Sequence, residues 1–214
     1  MEIDWFGHAC FRLRGRDGTV IADPYGKDIG LSFARPRGDI VTISHAHPGH
    51  SFAKGVKGDP KVIDGPGEYE IKNVFVTGVP SAHDKKGGKE RGANTIYVFD
   101  IDGLSICHLG DLGHVPTQTQ IEALGNVNVL LVPVGGVSTI NAGEAAEIVS
   151  MLEPQLVIPM HFFHPELQFK LDPVTKFFKE MGVKAPDPVA SIKVTKDSLP
   201  SETQVILLEA KQKE

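Results

Sequence analysis

The stretch "TISHAHPGHS", residues 42–51, places His45, His47 and His50 within six positions and has no carboxylate among them. It continues the β-branched apolar run "DIVTIS" at 39–44, so His45 sits where a buried strand emerges. In extended chain, residues i and i+2 point the same way, so His45 and His47 can address one point. Pro48 and Gly49 prevent a helix and bend the chain, which can swing His50 to the same place from the other side. A helical His-x-x-x-His site would need a spacing of four and no proline. The cluster is therefore loop-borne, and three imidazoles at the mouth of an apolar strand point to metal ligation.

Further ligands must come from elsewhere in the chain. His83 in "GVPSAHD", Asp111 in "ICHLGDLGH" and His161 in "LVIPMHF" each follow an apolar run. Gly110 and Gly113 flank Asp111 and let backbone approach a ligand closely. Each residue alone also reads as an ordinary surface, turn or hydrogen-bonded group. Together they repeat one device, an apolar strand followed by His or Asp, by which an α/β protein gathers a site at one edge of its sheets.

The frame for such a site is long enough. At 214 residues, a chain of this size buries roughly 70% of its unfolded surface. Apolar content of 41%, charged content of 23% and a net charge of −5 are those of a soluble globular protein without a basic stripe, which argues against nucleic acid as partner. Cys10 and Cys107 read as small buried hydrophobes. No signal peptide and no membrane-length apolar run are visible, so a cytoplasmic location and no membrane partner are expected.

The first half predicts strands at 3–6, 9–13, 19–22, 40–44, 61–63, 74–77, 93–101 and 104–109, with an Asp-Gly hairpin at 102–103. The second half predicts helices at 117–124, 142–152 and 172–181, the last with Asp172 as N-cap and Gly182 as stop, around strands at 128–133 and 156–159. Two further runs, 191–195 and 204–208, close the chain. One α/β domain over 1–214 is the expectation.

The order H-x-H-x-x-H, His83, G-D and P-M-H resembles the metallo-β-lactamase fold superfamily. Within it, "WFGHACFRL", "ADPYG", "GPGEYEI", "HLGDLGH" and "LVPVGG" are similar to the compact bacterial hydrolases of the ascorbate-6-phosphate lactonase-like group, from residue 2 to about 170. The resemblance implies an α/β (α+β) fold, a four-layer αββα sandwich with the site along one edge of two facing sheets. It implies one metal position held by His45, His47 and His83 with Asp111 bridging, and a second held by His50, Asp111 and His161. Zinc, one ion or two, suits such imidazole-rich sites, with manganese or iron as alternatives. The implied chemistry is attack of a metal-bound hydroxide on a lactone, phosphodiester or related ester.

This chain departs from the family's H-x-H-x-D-H pattern at Gly49, where an aspartate ligand belongs, and at Ala46, where close relatives carry an acid. Three outcomes stay open: a single-metal site, substitution by a nearby acid such as Asp84 or Glu68, or a catalytically weak or inactive protein that binds metal or ligand. His8 matches a histidine that the group places near the site, as a substrate or supporting contact, and reads equally as a structural histidine. Asp23 is expected to orient a ligand imidazole through its free N–H. His108, His114 and His164 are not expected to be ligands. The basic "HDKKGGKERG" loop leans towards an anionic small-molecule substrate. Oligomeric state is not legible.

Overall fold

Two sheets stack through an apolar face of each. In a computed structural model, which describes residues 1–212, the strands are β1 (Glu2–Trp5), β2 (Phe11–Arg14), β3 (Thr19–Ala22), β4 (Ile40–Thr42), β5 (Lys61–Ile63), β6 (Gly67–Ile71) and β7 (Val74–Ala82). They continue as β8 (Ala93–Ile101), β9 (Leu104–His108), β10 (Val129–Pro133), β11 (Leu156–Met160), β12 (Ile192–Lys193) and β13 (Gln204–Val205). The helices are α1 (Gln118–Leu124), α2 (Ala142–Leu152) and α3 (Thr175–Glu180). The first sheet has the order β12-β1-β2-β3-β4-β5, the second β13-β11-β10-β9-β8-β7-β6. In the first, β3, β4 and β5 run parallel; in the second, β9, β10, β11 and β13 do.

The side-chain period of two sorts residues between layers. Along β8, Tyr97, Phe99 and Ile101 enter the core between the sheets, while Ile96 and Val98 face outwards to the helices. Along β10, Val129 and Leu131 face inwards and Leu130 and Val132 outwards. Both faces are covered, so these strands read as continuous apolar runs. Three α-helices supply the outer cover through Leu124, Ala145, Ile148, Val149, Phe177 and Phe178. Capping boxes set two helix starts, Thr117 with Gln120 and Asn141 with Glu144.

The two-sheet sandwich stands as expected, but its fourth layer is irregular. Outside the first sheet, Ile21 and Val41 are covered by Tyr25, Ile29, Leu31, Phe33 and Val56, which lie on loops and two 3-10 turns at Lys27–Ile29 and Ala53–Gly55. Pro24, Gly26, Gly30, Pro36 and Gly38 recur too often there for an α-helix.

Besides shifts of one to three residues at other element ends, three departures from the sequence reading have a local physical cause. The last helix begins at Thr175, and Asp172 does not cap it. Pro173 biases the residue before it away from helical backbone, and the Asp172 N–H instead donates to the Gly135 carbonyl at 2.7 Å. The edge strand β6 was not expected; it joins β7 through Lys72 and Asn73, both at positive φ. Strand β7 continues past Gly78 and Pro80 to Ala82. Beyond Gly78 it has lost β6 as neighbour, and an edge tolerates proline.

Candidate metal centre

Six segments that follow strands meet at one edge of the sandwich. His8 follows β1, Asp23 follows β3, His45 to His50 follow β4, His83 follows β7, Asp111 follows β9 and His161 follows β11. Asp111 is the hub. Its Oδ2 lies 3.2 Å from His50 Nε2, 3.4 Å from His83 Nε2 and 3.8 Å from His45 Nε2, and its Oδ1 lies 3.3 Å from His161 Nε2. His8 Nε2 is 3.1 Å from His50 Nε2. His47 stands at the exposed rim, its ring stacked 5.8 Å from that of His45.

Three sets of ligand atoms lie mutually within 4.8 Å: His45, His83 and Asp111; His45, His47 and His50; and His8, His50 and His161. All the residues expected to bind metal are therefore gathered, and His8 joins them. His47 groups with His45 and His50 in place of His83.

Buried partners hold the cluster in place. Asp23, fully buried, accepts the Ser44 N–H at 2.8 Å on Oδ1, and on Oδ2 the Ser44 hydroxyl at 2.5 Å and His50 Nδ1 at 2.8 Å. Asn94 accepts the Asp111 N–H at 3.0 Å and donates to the Leu109 carbonyl and the Ser81 hydroxyl. Ser44 and Asn94 carry no motif, and sequence reading missed both. Gly110 must be glycine: its φ is +59°, and a Cβ there would lie 2.5 Å from Asn94 Oδ1 and 2.6 Å from Ser44 Cβ. His8 and His161 also take positive φ (53° and 50°), a conformation costing an ordinary residue about 1–3 kcal/mol and concentrated at functional sites.

The charges are strongly coupled. Burial alone would lower His50, but the Asp111 charge and hydrogen bonds with Asp111 and Asp23 outweigh it and raise its pKa to about 10. Burial would raise Asp111, yet His161 and His50 hold its carboxyl well below the usual range. Burial and the neighbouring His161 and His50 push His8 well down. Burial and His50 lower His45 to about 4.

The candidate substitute acids are placed elsewhere. Asp84 accepts four backbone N–H groups, from Lys86 and Gly88 on Oδ1 and from Glu90 and Arg91 on Oδ2. These bonds hold its pKa at about 2 and tie down the loop behind His83. Glu68 lies exposed on edge strand β6. His108 bonds through both nitrogens, to the Ala9 carbonyl and the Gly110 N–H. His114 faces the Ala82 N–H and the Val115 carbonyl, and His164 accepts the Glu166 N–H.

The cluster floors a cavity of about 520 Å³ whose walls include Arg91, Val137, Ser138, Phe169, Lys170 and Leu171. Of the lysines and the arginine of the basic loop, only Arg91 lines it, held to the Val137 carbonyl at 3.3 Å. Lys85 and Lys86 turn to Glu144 and Glu90.

The donor set fits a divalent cation. His45 Nε2 and Asp111 Oδ1 are buried without a hydrogen-bond partner, and such an unpaired group costs about 1–3 kcal/mol. A profile described as a β-lactamase superfamily domain matches residues 2–161. The chain belongs to the β-lactamase superfamily. A "UPF0173 metal-dependent hydrolase" of Methanoculleus marisnigri from the curated proteins is 30% identical over 187 residues, covering 76% of this chain and 81% of that protein. The crystal structure of a candidate Zn-dependent hydrolase of this superfamily from Thermotoga maritima is 38% identical, with 97% of each chain covered and a TM-score of 0.80. Igni18, a metallo hydrolase from Ignicoccus hospitalis, shares the superfamily fold at 20% identity, with 91% of this chain and 99% of that chain covered and a TM-score of 0.65. Among the described residues no helix is long and apolar enough to cross a membrane.

Proposed function

We propose that the chain is a metal-dependent hydrolase of a small anionic ester, a lactone or a phosphodiester, acting in the cytoplasm. The observation that carries this is the Asp111 hub, one carboxylate with four imidazole nitrogens 3.2–3.8 Å away at the floor of an open cavity. His45, His83 and Asp111 would hold one cation, with His47 beside His45, and His50 and His161 would hold a second. Zinc suits this donor set, as does iron(II). A bound divalent cation supplies the acidity that makes water a nucleophile near neutral pH and the charge that stabilises a developing oxyanion.

The chain's own residues do the rest. Asp23 fixes the ring of His50, as metal-bound imidazoles require of a supporting acceptor. Arg91 and Lys170 stand at the cavity wall as cations, which favours a substrate carrying a carboxylate or phosphate. Val137, Phe169 and Leu171 offer apolar surface for its remainder.

The reading is tested by elemental analysis of the purified protein and by assaying phosphodiesters and lactones with zinc, iron(II) or manganese. Metal-dependent turnover is the expected result. Arg91→Ala and Lys170→Ala should each raise KM for an anionic ester about two- to fivefold, the worth of an exposed ion pair of about 0.5–1 kcal/mol, and leave a neutral lactone unaffected. Bound metal without turnover on any ester would favour a ligand-binding protein, the alternative that Gly49 raises. Absence of bound metal would sink both.

A further inference from the structure

We propose that His8 is itself a metal ligand, taking at the second cation position the place of the acid that Gly49 lacks. The inference rests on the cluster being a cation site and adds a ligand that the H-x-H-x-x-H motif does not contain.

Gly49 shows where the acid would have gone. A Cβ built on it would lie 3.1 Å from His8 Nε2 and 3.2 Å from His47 Nδ1. The space a side chain at 49 would enter is thus already filled, by the imidazoles of His8 and His47. The nitrogens of His8, His50 and His161 lie within 4.8 Å of one another, with His8 Nε2 and His50 Nε2 3.1 Å apart. Metal–nitrogen bonds of about 2.0–2.1 Å in a tetrahedral site require nitrogens about 3.4 Å apart. The His8 ring packs on both partners, its centroid 4.2 Å from that of His161 and 4.7 Å from that of His50.

A purely structural histidine in this fold looks different. Buried His108 bonds the protein through both ring nitrogens. Equally buried His8 instead points Nε2 at a ligand candidate, 3.1 Å from His50 Nε2. Its backbone is also held for the purpose. The residue sits at φ +53°, and its carbonyl accepts both the His161 N–H and the Trp5 indole N–H at 3.0 Å. The bond to His161 ties two of the three proposed imidazole ligands together directly.

Exchanging a carboxylate for an imidazole changes metal preference. Carboxylates suit manganese and magnesium, whereas imidazoles suit zinc and iron. The second position should therefore discriminate against manganese.

The test compares the parent chain with His8→Asn and with the double variant His8→Asn/Gly49→Asp. Asparagine tolerates the left-handed backbone, and circular dichroism of the metal-free forms checks folding. After zinc loading and chelator competition, the parent should hold two ions. His8→Asn should hold one firmly and bind the second on the order of 100-fold more weakly, at the upper end of the 10- to 100-fold cost of losing a supporting partner. The double variant should regain the second ion and accept manganese better than the parent. In the cadmium-113-loaded parent, a one-bond coupling to a His8 ring nitrogen reports ligation without any mutation. Unchanged binding of every ion by His8→Asn, or no such coupling in the loaded parent, overturns the proposal. A parent that binds no metal at all overturns instead the cation site on which it rests.

Discussion

Asp23→Asn replaces one buried carboxylate oxygen with an NH2 group at almost constant volume. In the parent, Oδ2 accepts His50 Nδ1 at 2.8 Å while Oδ1 accepts the Ser44 N–H at 2.8 Å. With Nδ1 protonated, His50 presents the lone pair of Nε2 towards Asp111 and the proposed cation. An asparagine that keeps its carbonyl on the Ser44 N–H puts its NH2 against the His50 Nδ1–H, two donors face to face. Turning the amide over moves the conflict to the Ser44 N–H, which backbone cannot relieve. The accessible escape is a change of tautomer in His50, which moves the proton to Nε2 and blocks ligation. The loss is one buried, charge-assisted hydrogen bond, about 1.5–3 kcal/mol, and cation binding at His50 should weaken about 10- to 100-fold. Chelator competition reads the affinity, nitrogen-15 NMR of the imidazoles reads the tautomer, and thermal melting of the metal-free form checks the fold. An affinity within twofold of the parent, in a cooperatively melting variant, would refute the positioning role assigned to Asp23.

Two further outcomes follow from the same contacts. With a pKa raised to about 10 by Asp111 and Asp23 against the effect of burial, His50 is protonated near pH 7.5 in protein stripped of metal. Cation binding should then expel about one proton there, since ligation requires the free base, and calorimetry in buffers of differing ionisation enthalpy counts it; no release would refute the coupling. Because the folded-state pKa lies above the ordinary 6.5, this group's stabilisation is complete below about pH 6.5 and lost as pH rises towards about 10. The metal-free Tm should therefore fall across that window, and a rising Tm would count against it. Asp84→Ala should remove hydrogen-exchange protection at Lys86, Gly88, Glu90 and Arg91 while leaving metal content unchanged. A lower metal content would mean that Asp84 supports the site, as a ligand or through His83.

Much of this was legible because the signals were local. His45 was readable from the β-branched run before it and the Pro-Gly bend after it, and the Asp102–Gly103 turn from its two residues alone, both at positive φ. Strand β6, "GEYEI", was not: it carries the alternation of a half-buried strand, with Tyr69 and Ile71 packed against the core, but it is short and the Gly-Pro-Gly segment at 65–67 that opens it reads as turn. Pro80 argued against strand, since nothing local announced that β7 had become an edge. The candidate ligands were legible as strand-end histidines and an aspartate, but their grouping was not. His8 meets His50 across 42 positions of sequence, and Lys170, Phe169 and Leu171 reach the cavity wall from a segment with no motif.

The charge balance ties the site to its proposed substrate. With neutral imidazoles, the buried negative charges in contact with the cluster are Asp111 and, one hydrogen bond removed, Asp23. Together they neutralise one divalent cation. An aspartate at 49 would have added a third charge, and His8 supplies a donor atom but no charge. A site holding two divalent cations would thus remain about two positive charges in excess, and Arg91 and Lys170 at the wall add to that excess. Uncompensated buried charge is costly, and an anionic ester entering the cavity relieves it. With His8 in the proposed role, ligation and substrate choice would be coupled: a site with too few carboxylates of its own would be completed by those of an anionic substrate, or by its phosphate.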